Sequence, residues 1–340
     1  MTTGIPTLLV LALSAAAICA ILIVLLRPRL QRYALARPNA RSSHKVPTPQ
    51  GAGIAVVAAT LLIGGGYALT TGAAPPALLF AATPLIALVG LVDDIRPILV
   101  LPRLLLQAIA VGLVVLTAPS ELRLAPALPL ALERALLLIT ALWFVNLVNF
   151  MDGLDLMTAA EAVPITATLA VLGVSGLLPL PATLIAAALC GALLGFAPFN
   201  RPVAKVFLGD VGSLPIGLLL GWCLLELAWN GHIVAALLLP LYYLADATLT
   251  LLRRMLRGEP FWAAHRTHFY QRATDNGFTV LRVVGEVFAL NLVLAALAGL
   301  SVALTSKGAD IVLLAVGAGA VAVALRRFSR PHAMNSSRRG

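Results

Sequence analysis

The sequence predicts an all-α, polytopic integral membrane protein with about eleven transmembrane helices. Three observations predict it. Of 340 residues, 60% are hydrophobic and 11% charged, where an ordinary soluble domain carries about 25% charged residues. Apolar runs of roughly 20 residues, enough to cross a bilayer, recur along the chain. The Lys and Arg residues gather in alternate connections between those runs. A soluble enzyme, a disordered chain and a collagen-like fibre are excluded by the same arithmetic.

The runs lie near 5–26, 51–71, 75–92, 102–118, 132–149, 157–174, 179–198, 212–229, 231–252, 283–304 and 309–325. The first is too long and too weakly charged at its start for a cleaved signal peptide and is read as a span. The second opens on a turn of prolines and glycines. The third ends in Asp93-Asp94, the fifth in a polar series from Asn146 to Asp155, and the eighth follows Gly209-Asp210. The ninth carries Asp246 inside it. The long connections 27–50 and 253–282 are basic, whereas 119–131 is rich in proline. One transmembrane domain is expected over 1–328, followed by a basic, disordered cytoplasmic tail at 329–340.

Charge sets the expected orientation. With the N-terminus periplasmic and the C-terminus cytoplasmic, 21 of the 24 Lys and Arg fall inside, leaving Arg123, Arg134 and Lys307 outside. Such asymmetry is the positive-inside pattern, so the net charge of +10 reads as an inner-face bias and not as nucleic-acid binding. Cys19, Cys190 and Cys223 lie in apolar runs without CxxC spacing, which argues against a disulfide framework or metal site. No inverted repeat of the transporter kind is visible.

Under this topology the polar clusters share the inner side, at the level of lipid headgroups. Asp93 and Asp94 end an apolar helix, where the macrodipole disfavours acids, so the pair needs a compensating cation or a shared proton. Asn146, Asn149, Asp152 and Asp155 recur every third position. On one continuous helix they would fan over about 180°, so they meet one ligand only if the helix breaks, with Gly153 the candidate break. Amides and acids together suit a hard cation beside a polar headgroup. Lys205-Val206-Phe207-Leu208-Gly209-Asp210-Val211-Gly212-Ser213 sets an acid between glycines at a helix start, a place suited to phosphate, without the Walker spacing. His265, Arg266, His268 and Arg272 form a phosphate-type segment. Ser42 to Gly53, with His44, Lys45 and the PTPQGAG turn, brings positive charge and close backbone approach. Asp246, an acid inside a span, implies a partner on another span.

These motifs resemble the polyprenyl-phosphate N-acetylhexosamine-1-phosphate transferases, glycosyltransferase family 4. PTPQGAG, VDD, NLVNFMDGLD, VFLGDVGS and HRTHFYQR occur in order and extend the likeness over nearly the whole chain, and the family's eleven-span forms agree with the span count. The resemblance implies that undecaprenyl phosphate attacks the β-phosphorus of a UDP-N-acetylhexosamine at the cytoplasmic leaflet, giving the lipid-diphospho-sugar and UMP. It implies Mg²⁺, with Asn149 and Asp210 as its contacts. It implies catalytic roles for Asp93, Asp94, Asp152, His265 and His268, and substrate-binding roles for Lys45, Asn146, Asp155, Lys205 and Arg266. Its partners are the two substrates and membrane lipids of the inner membrane, not nucleic acid, and a homodimer is left open.

Two departures bear on the sugar. Tyr270-Gln271 stands where many N-acetylglucosamine-1-phosphate transferases continue in histidine, and Leu156 replaces the usual glycine after DGLD. HRTHFYQR resembles more closely the O-antigen-initiating branch that takes 6-deoxy N-acetylhexosamines, so a glycan of the cell envelope is the expected product pathway. A transporter or lipid-binding protein would instead place its functional polar residues near the midplane, and the motif of CDP-alcohol phosphotransferases is not seen.

Overall fold

A computed structural model describes residues 4–36, 47–73, 75–116, 118–260 and 265–331. Lys45, and the expected tail from residue 332 onward, lie outside the described residues. The fold is all-α: a bundle of apolar helices with, among the described residues, one two-stranded ribbon.

Each of the eleven apolar runs is helical. Nine helices among the described residues are long and apolar enough to cross a membrane, so the chain is a multi-pass membrane protein. The other two runs differ from expectation. α5 (Val100–Val115) has 16 residues. The ninth run is split at Pro240 into α10 (Ile233–Leu238) and α11 (Leu241–Leu256). Proline has no N–H and clashes with the preceding turn, so it ends a helix. The break frees amides at the start of α11, and Tyr243 N–H donates to Glu161 on α7 (Met157–Val174) at 3.4 Å. Asn291 on α13 (Val280–Leu304) donates to the other oxygen of Glu161 at 2.6 Å. A buried acid thus supplies the acceptor that lipid cannot.

The centre of the bundle is α9 (Asp210–Trp229), 89% of whose spanning stretch is buried, against 22% for the peripheral α14 (Lys307–Phe328). α9 packs on α4 (Ala77–Ile95), on α6 (Leu130–Met151) and on α2 (Gly53–Thr60), which runs through a π-helical turn into α3 (Gly66–Thr70). α1 (Ile5–Tyr33) lies along α8 (Leu180–Phe196). Gly191 and Gly195 of α8 meet carbonyls of Ala12 and Ala16 so closely that an added Cβ would sit 1.9 and 2.3 Å from those oxygens. With no hydrophobic drive between helices in lipid, such small-residue contacts carry the packing.

The ribbon pairs β1 (Leu35–Ala36) antiparallel with β2 (Thr48–Pro49), and Gln50 bridges to Phe207. It delivers the PTPQGAG turn to the start of α9. Arg123 and Arg134, both expected outside, hold the proline-rich connection: Arg123 pairs with Glu133 at 2.5 Å, and Arg134 donates to the Pro119 carbonyl at 2.7 Å.

Candidate active site

The C-terminal ends of α4 and α6 meet the N-terminal ends of α5 and α9 at one end of the bundle. Close approach there depends on glycine. An added Cβ on Gly90 would lie 2.2 Å from the Asp210 carbonyl oxygen, and one on Gly53 would lie 2.1 Å from Gly212 Cα. Gly51 has φ +106°, which glycine adopts freely.

Asp94 and Asp93 each find a partner inside the protein. Asp94 accepts from the backbone N–H of Asp210 (2.9 Å) and Val211 (3.1 Å), the first amides of α9, and from Gln50 Nε2 (3.1 Å). This corrects an expectation: the α9 N-terminus, read as a phosphate cradle, is filled by a carboxylate of α4. Helix N-terminal amides need an acceptor and favour negative charge. Asp93 accepts from Ile98 N–H (2.6 Å) and forms an ion pair with Arg103 (2.7 Å).

α6 ends at Met151, so the helix breaks at Asp152, one residue before Gly153. Asn149 faces α9 and donates through Nδ2 to Asp210 Oδ1 (2.7 Å) and Ser213 Oγ (2.9 Å). Asn146 turns elsewhere, donating to Gln107 Oε1 (2.8 Å) between α5 and α6. Asp152 accepts from the Thr158 hydroxyl. Burial pushes its carboxyl up to about 7, the Thr158 hydrogen bond opposing and the charges of Asp94 and Asp155 adding. Asp155 accepts from Ala204 N–H at 3.1 Å and so ties the turn to the 200–206 segment. Leu156 has φ +65°, its N–H held by Asn200 Oδ1 at 2.7 Å. The left-handed backbone is why glycine suits this position; leucine there costs roughly 1–2 kcal/mol.

A cavity of about 550 Å³ opens on this cluster. It is lined by polar side chains, Arg103, Asn146, Asn149, Asp210, His265 and His268, and by apolar ones, among them Leu104, Leu142, Trp143 and Leu251. The His265 ring lies against that of His268, tilted by 31° with ring centroids 4.9 Å apart. Burial and the neighbouring His268 lower the His265 pKa to about 4. Tyr270, on α12 (Phe269–Asp275), donates its hydroxyl to the Phe150 carbonyl at 3.0 Å and lies where a Gly153 side chain would be.

Three expected substrate contacts stand apart from the cavity lining. Lys205 is exposed. Arg266 pairs with Asp275 (2.7 Å), so it braces the loop. Asp155 serves the turn just described. Three residues were missed as site residues. Arg103 joins the clusters, 2.7 Å from Asp93 and 3.9 Å from Asp210; the signal was a cation in the first turn of an apolar span. Gln50 anchors the PTPQGAG turn on Asp94. Asp246, the intramembrane acid expected to have a partner on another span, finds its main partners in the histidine loop instead: Phe269 N–H (3.0 Å), Tyr270 N–H (3.1 Å) and His268 Nδ1 (3.2 Å).

Among the described residues no three His, Cys, Asp or Glu side chains converge as a metal cage. The oxygen-bearing side chains beside the cavity are one carboxylate, Asp210, and the amides Asn146 and Asn149, a donor set of the hard-oxygen type. Asp210 Oδ2 faces Arg103 at 3.9 Å, beyond hydrogen-bond range, while its Oδ1 accepts from Asn149 Nδ2.

The family described as Glycosyl transferase family 4 matches residues 76–228. A decaprenyl-phosphate N-acetylglucosaminephosphotransferase of Mycobacterium tuberculosis (strain ATCC 25618 / H37Rv) is 30% identical over 302 residues, covering 74% of this chain and 71% of that protein. The chain belongs to glycosyl transferase family 4, the polyprenyl-phosphate N-acetylhexosamine-1-phosphate transferases. A probable undecaprenyl-phosphate N-acetylglucosaminyl 1-phosphate transferase of Bacillus subtilis (strain 168) is 26% identical over 300 residues, 80% of this chain and 81% of that one. A phospho-N-acetylmuramoyl-pentapeptide-transferase of Limosilactobacillus fermentum is 44% identical over 75 residues, 22% of this chain and 23% of that one. In this family 4 transferase the matched segment holds Asp93, Asp94, Arg103, Asn149, Asp152, Asp155 and Asp210, while His265 and His268 lie beyond it.

Proposed function

We propose that this family 4 transferase moves an N-acetylhexosamine-1-phosphate from a UDP-sugar to undecaprenyl phosphate at the cytoplasmic leaflet of the inner membrane, releasing UMP and starting a cell-envelope glycan. One observation carries the reading. One cavity is lined both by ionic and polar side chains, Arg103, Asn149, Asp210, His265 and His268, and by apolar ones such as Leu104, Trp143 and Leu251. A phosphorylated lipid combines those two chemistries, and the diphosphate of a nucleotide sugar suits the ionic side chains.

The lipid phosphate is already an anion near pH 7, its second pKa being about 6. The barrier is therefore the approach of two anions, relieved by fixed positive charge. In the proposed reaction an oxygen of the lipid phosphate bonds to the β-phosphorus, the bond from that phosphorus to the bridging oxygen breaks, and UMP leaves with the electron pair. Arg103 lies beside the acids and neutralises charge in the cavity. His265 and His268 line the same cavity and meet phosphate oxygens. Asp94 acts by holding the start of α9, which carries Asp210. Asp210 and Asn149 are the proposed Mg²⁺ contacts, the ion supplying charge neutralisation to the diphosphate.

The donor sugar is open to direct assay. The relatives named above act, by their names, on N-acetylglucosamine or N-acetylmuramoyl-pentapeptide, whereas HRTHFYQR resembles the branch using 6-deoxy sugars. The test is UMP release by purified protein given undecaprenyl phosphate, Mg²⁺ and separate UDP-N-acetylhexosamines, with Asp210→Ala as control. Release with one donor, abolished by the control and by EDTA, is expected. Silence with every donor, or equal release by the control, overturns the reading.

A further inference from the structure

Asp246 sits on α11 with its side chain fully buried, away from the Asp93–Asp210 cluster, and the reaction outlined above does not use it. Its carboxylate is surrounded by donors. Oδ1 accepts from Phe269 N–H at 3.0 Å and from Thr250 Oγ1 at 3.3 Å; Oδ2 accepts from Tyr270 N–H at 3.1 Å and from Tyr242 Oη at 3.2 Å. His268 Nδ1 lies 3.2 Å from Oδ1. Backbone amides on both oxygens make this group an acceptor throughout, so the proton between it and His268 belongs to Nδ1.

We propose that Asp246 is a positioning residue for the transfer reaction: it fixes the ring and tautomer of His268, so that Nε2 is the nitrogen presented to the cavity. The proposal rests on the function proposed above. With Nδ1–H committed to Asp246, the neutral ring offers Nε2 as a bare acceptor. When a phosphate oxygen enters, a proton on Nε2 turns it into a donor, and the resulting imidazolium lies between two anions, the phosphate and Asp246. A carboxylate behind a working imidazole sets tautomer and orientation in this manner. The other groups on His268 are the ring of His265 at 4.9 Å and that of Tyr270 at 5.7 Å, and neither is an anion.

The same carboxylate also receives the first amides of α12, so loss of activity in an Asp246 variant would not by itself separate positioning from folding. Two readouts do. The first is ¹⁵N NMR of histidine-labelled full-length protein in nanodiscs, with the His268 signal identified by its loss in His268→Gln. Protonated Nδ1 is expected in the wild type, and redistribution of that proton in Asp246→Asn. The second is a double-mutant cycle on UMP release. Asp246→Asn is expected to lower kcat about 10- to 100-fold, as removal of a ligand-orienting partner does, with donor KM changed less than about threefold. In the His268→Gln background the same change should add nothing. Tyr242→Phe, which removes a donor to Asp246 without touching His268, should keep kcat within about threefold of wild type.

A bare Nδ1 with the proton on Nε2 in an active wild type, or multiplicative losses in the cycle, overturns the proposal and leaves the function standing. No UMP release from wild type with Nδ1 protonated overturns the function and with it the role of Asp246 in turnover. Should Asp246→Asn fail to fold, the wild-type tautomer decides alone.

Discussion

Asp94 separates two ideas about the aspartate pair. Its hydrogen bonds to Asp210 N–H, Val211 N–H and Gln50 make it the anchor of α9. Hydrogen bonds to a charged group contribute roughly 1.5–3 kcal/mol. Asp94→Asn should therefore lower the thermal stability of detergent-purified protein by about that amount, together with its activity. A melting curve identical to wild type would sink the anchoring role and favour simple proton abstraction. If Asp93→Asn and Asp94→Asn both kept near-normal turnover, neither role would stand. His265 and Asp152 make a second, paired prediction. Asp152 titrates near 7 in the fold and near 3.8 when unfolded. Between those values the native state holds the extra proton, so this group makes stability fall as pH rises. His265 titrates near 4 in the fold and near 6.5 unfolded. There the unfolded state holds the extra proton, so stability rises with pH. The two slopes oppose each other between about pH 4 and 6.5. Relative to wild type, His265→Gln should give stability that declines with rising pH, and Asp152→Asn stability that climbs. Parallel profiles for all three proteins would refute both assignments.

At the scale of elements, one device recurs. Asp94 of α4 holds the start of α9, Asp246 of α11 the start of α12, and Glu161 of α7 the start of α11. Each acid lies on a different element from the amides it serves. A helix starting within or beside a bilayer leaves amides that water does not reach, and a carboxylate satisfies them while favouring the positive end of the dipole. The glycines at the α2–α4–α9 junction are the second device. Gly90→Ala places a methyl against the Asp210 carbonyl, which backbone cannot yield cheaply. The expected result is a loss of about 1–3 kcal/mol in stability and at least tenfold in UMP release, because Asp210 moves with α9. Wild-type turnover in Gly90→Ala would show that this approach does not set the site.

The whole molecule should sit with residues 118–129 outside and the site inside. Cys19, Cys190 and Cys223 are all buried, so an introduced cysteine reports alone. Ser120→Cys should react with an impermeant maleimide in intact spheroplasts, and Gly258→Cys only after the membrane is opened. The reverse pattern would invert the topology and place the cavity on the outer side.

Composition and periodicity were enough for the all-α membrane class, because the bilayer demands long apolar helices and nothing else in this chain competes with that demand. Motif order was enough for the family, and the polar series from Asn146 to Asp155 announced a helix break that Asp152 makes. Partnerships were out of reach. Asp94 meets Asp210 across 116 positions, and Asp246 meets Phe269 across 23. Arg103 read as one more inner cation, and Lys205 and Arg266 as phosphate ligands, since charge type is local information. Which charge faces which depends on how helix ends converge, and that is decided by packing at glycines such as Gly53 and Gly90. Sequence names the ionisable groups; only the tertiary structure distributes them between holding helices and lining the cavity, because hydrogen bonds act over about 3 Å and the chain brings distant segments within that range only when folded.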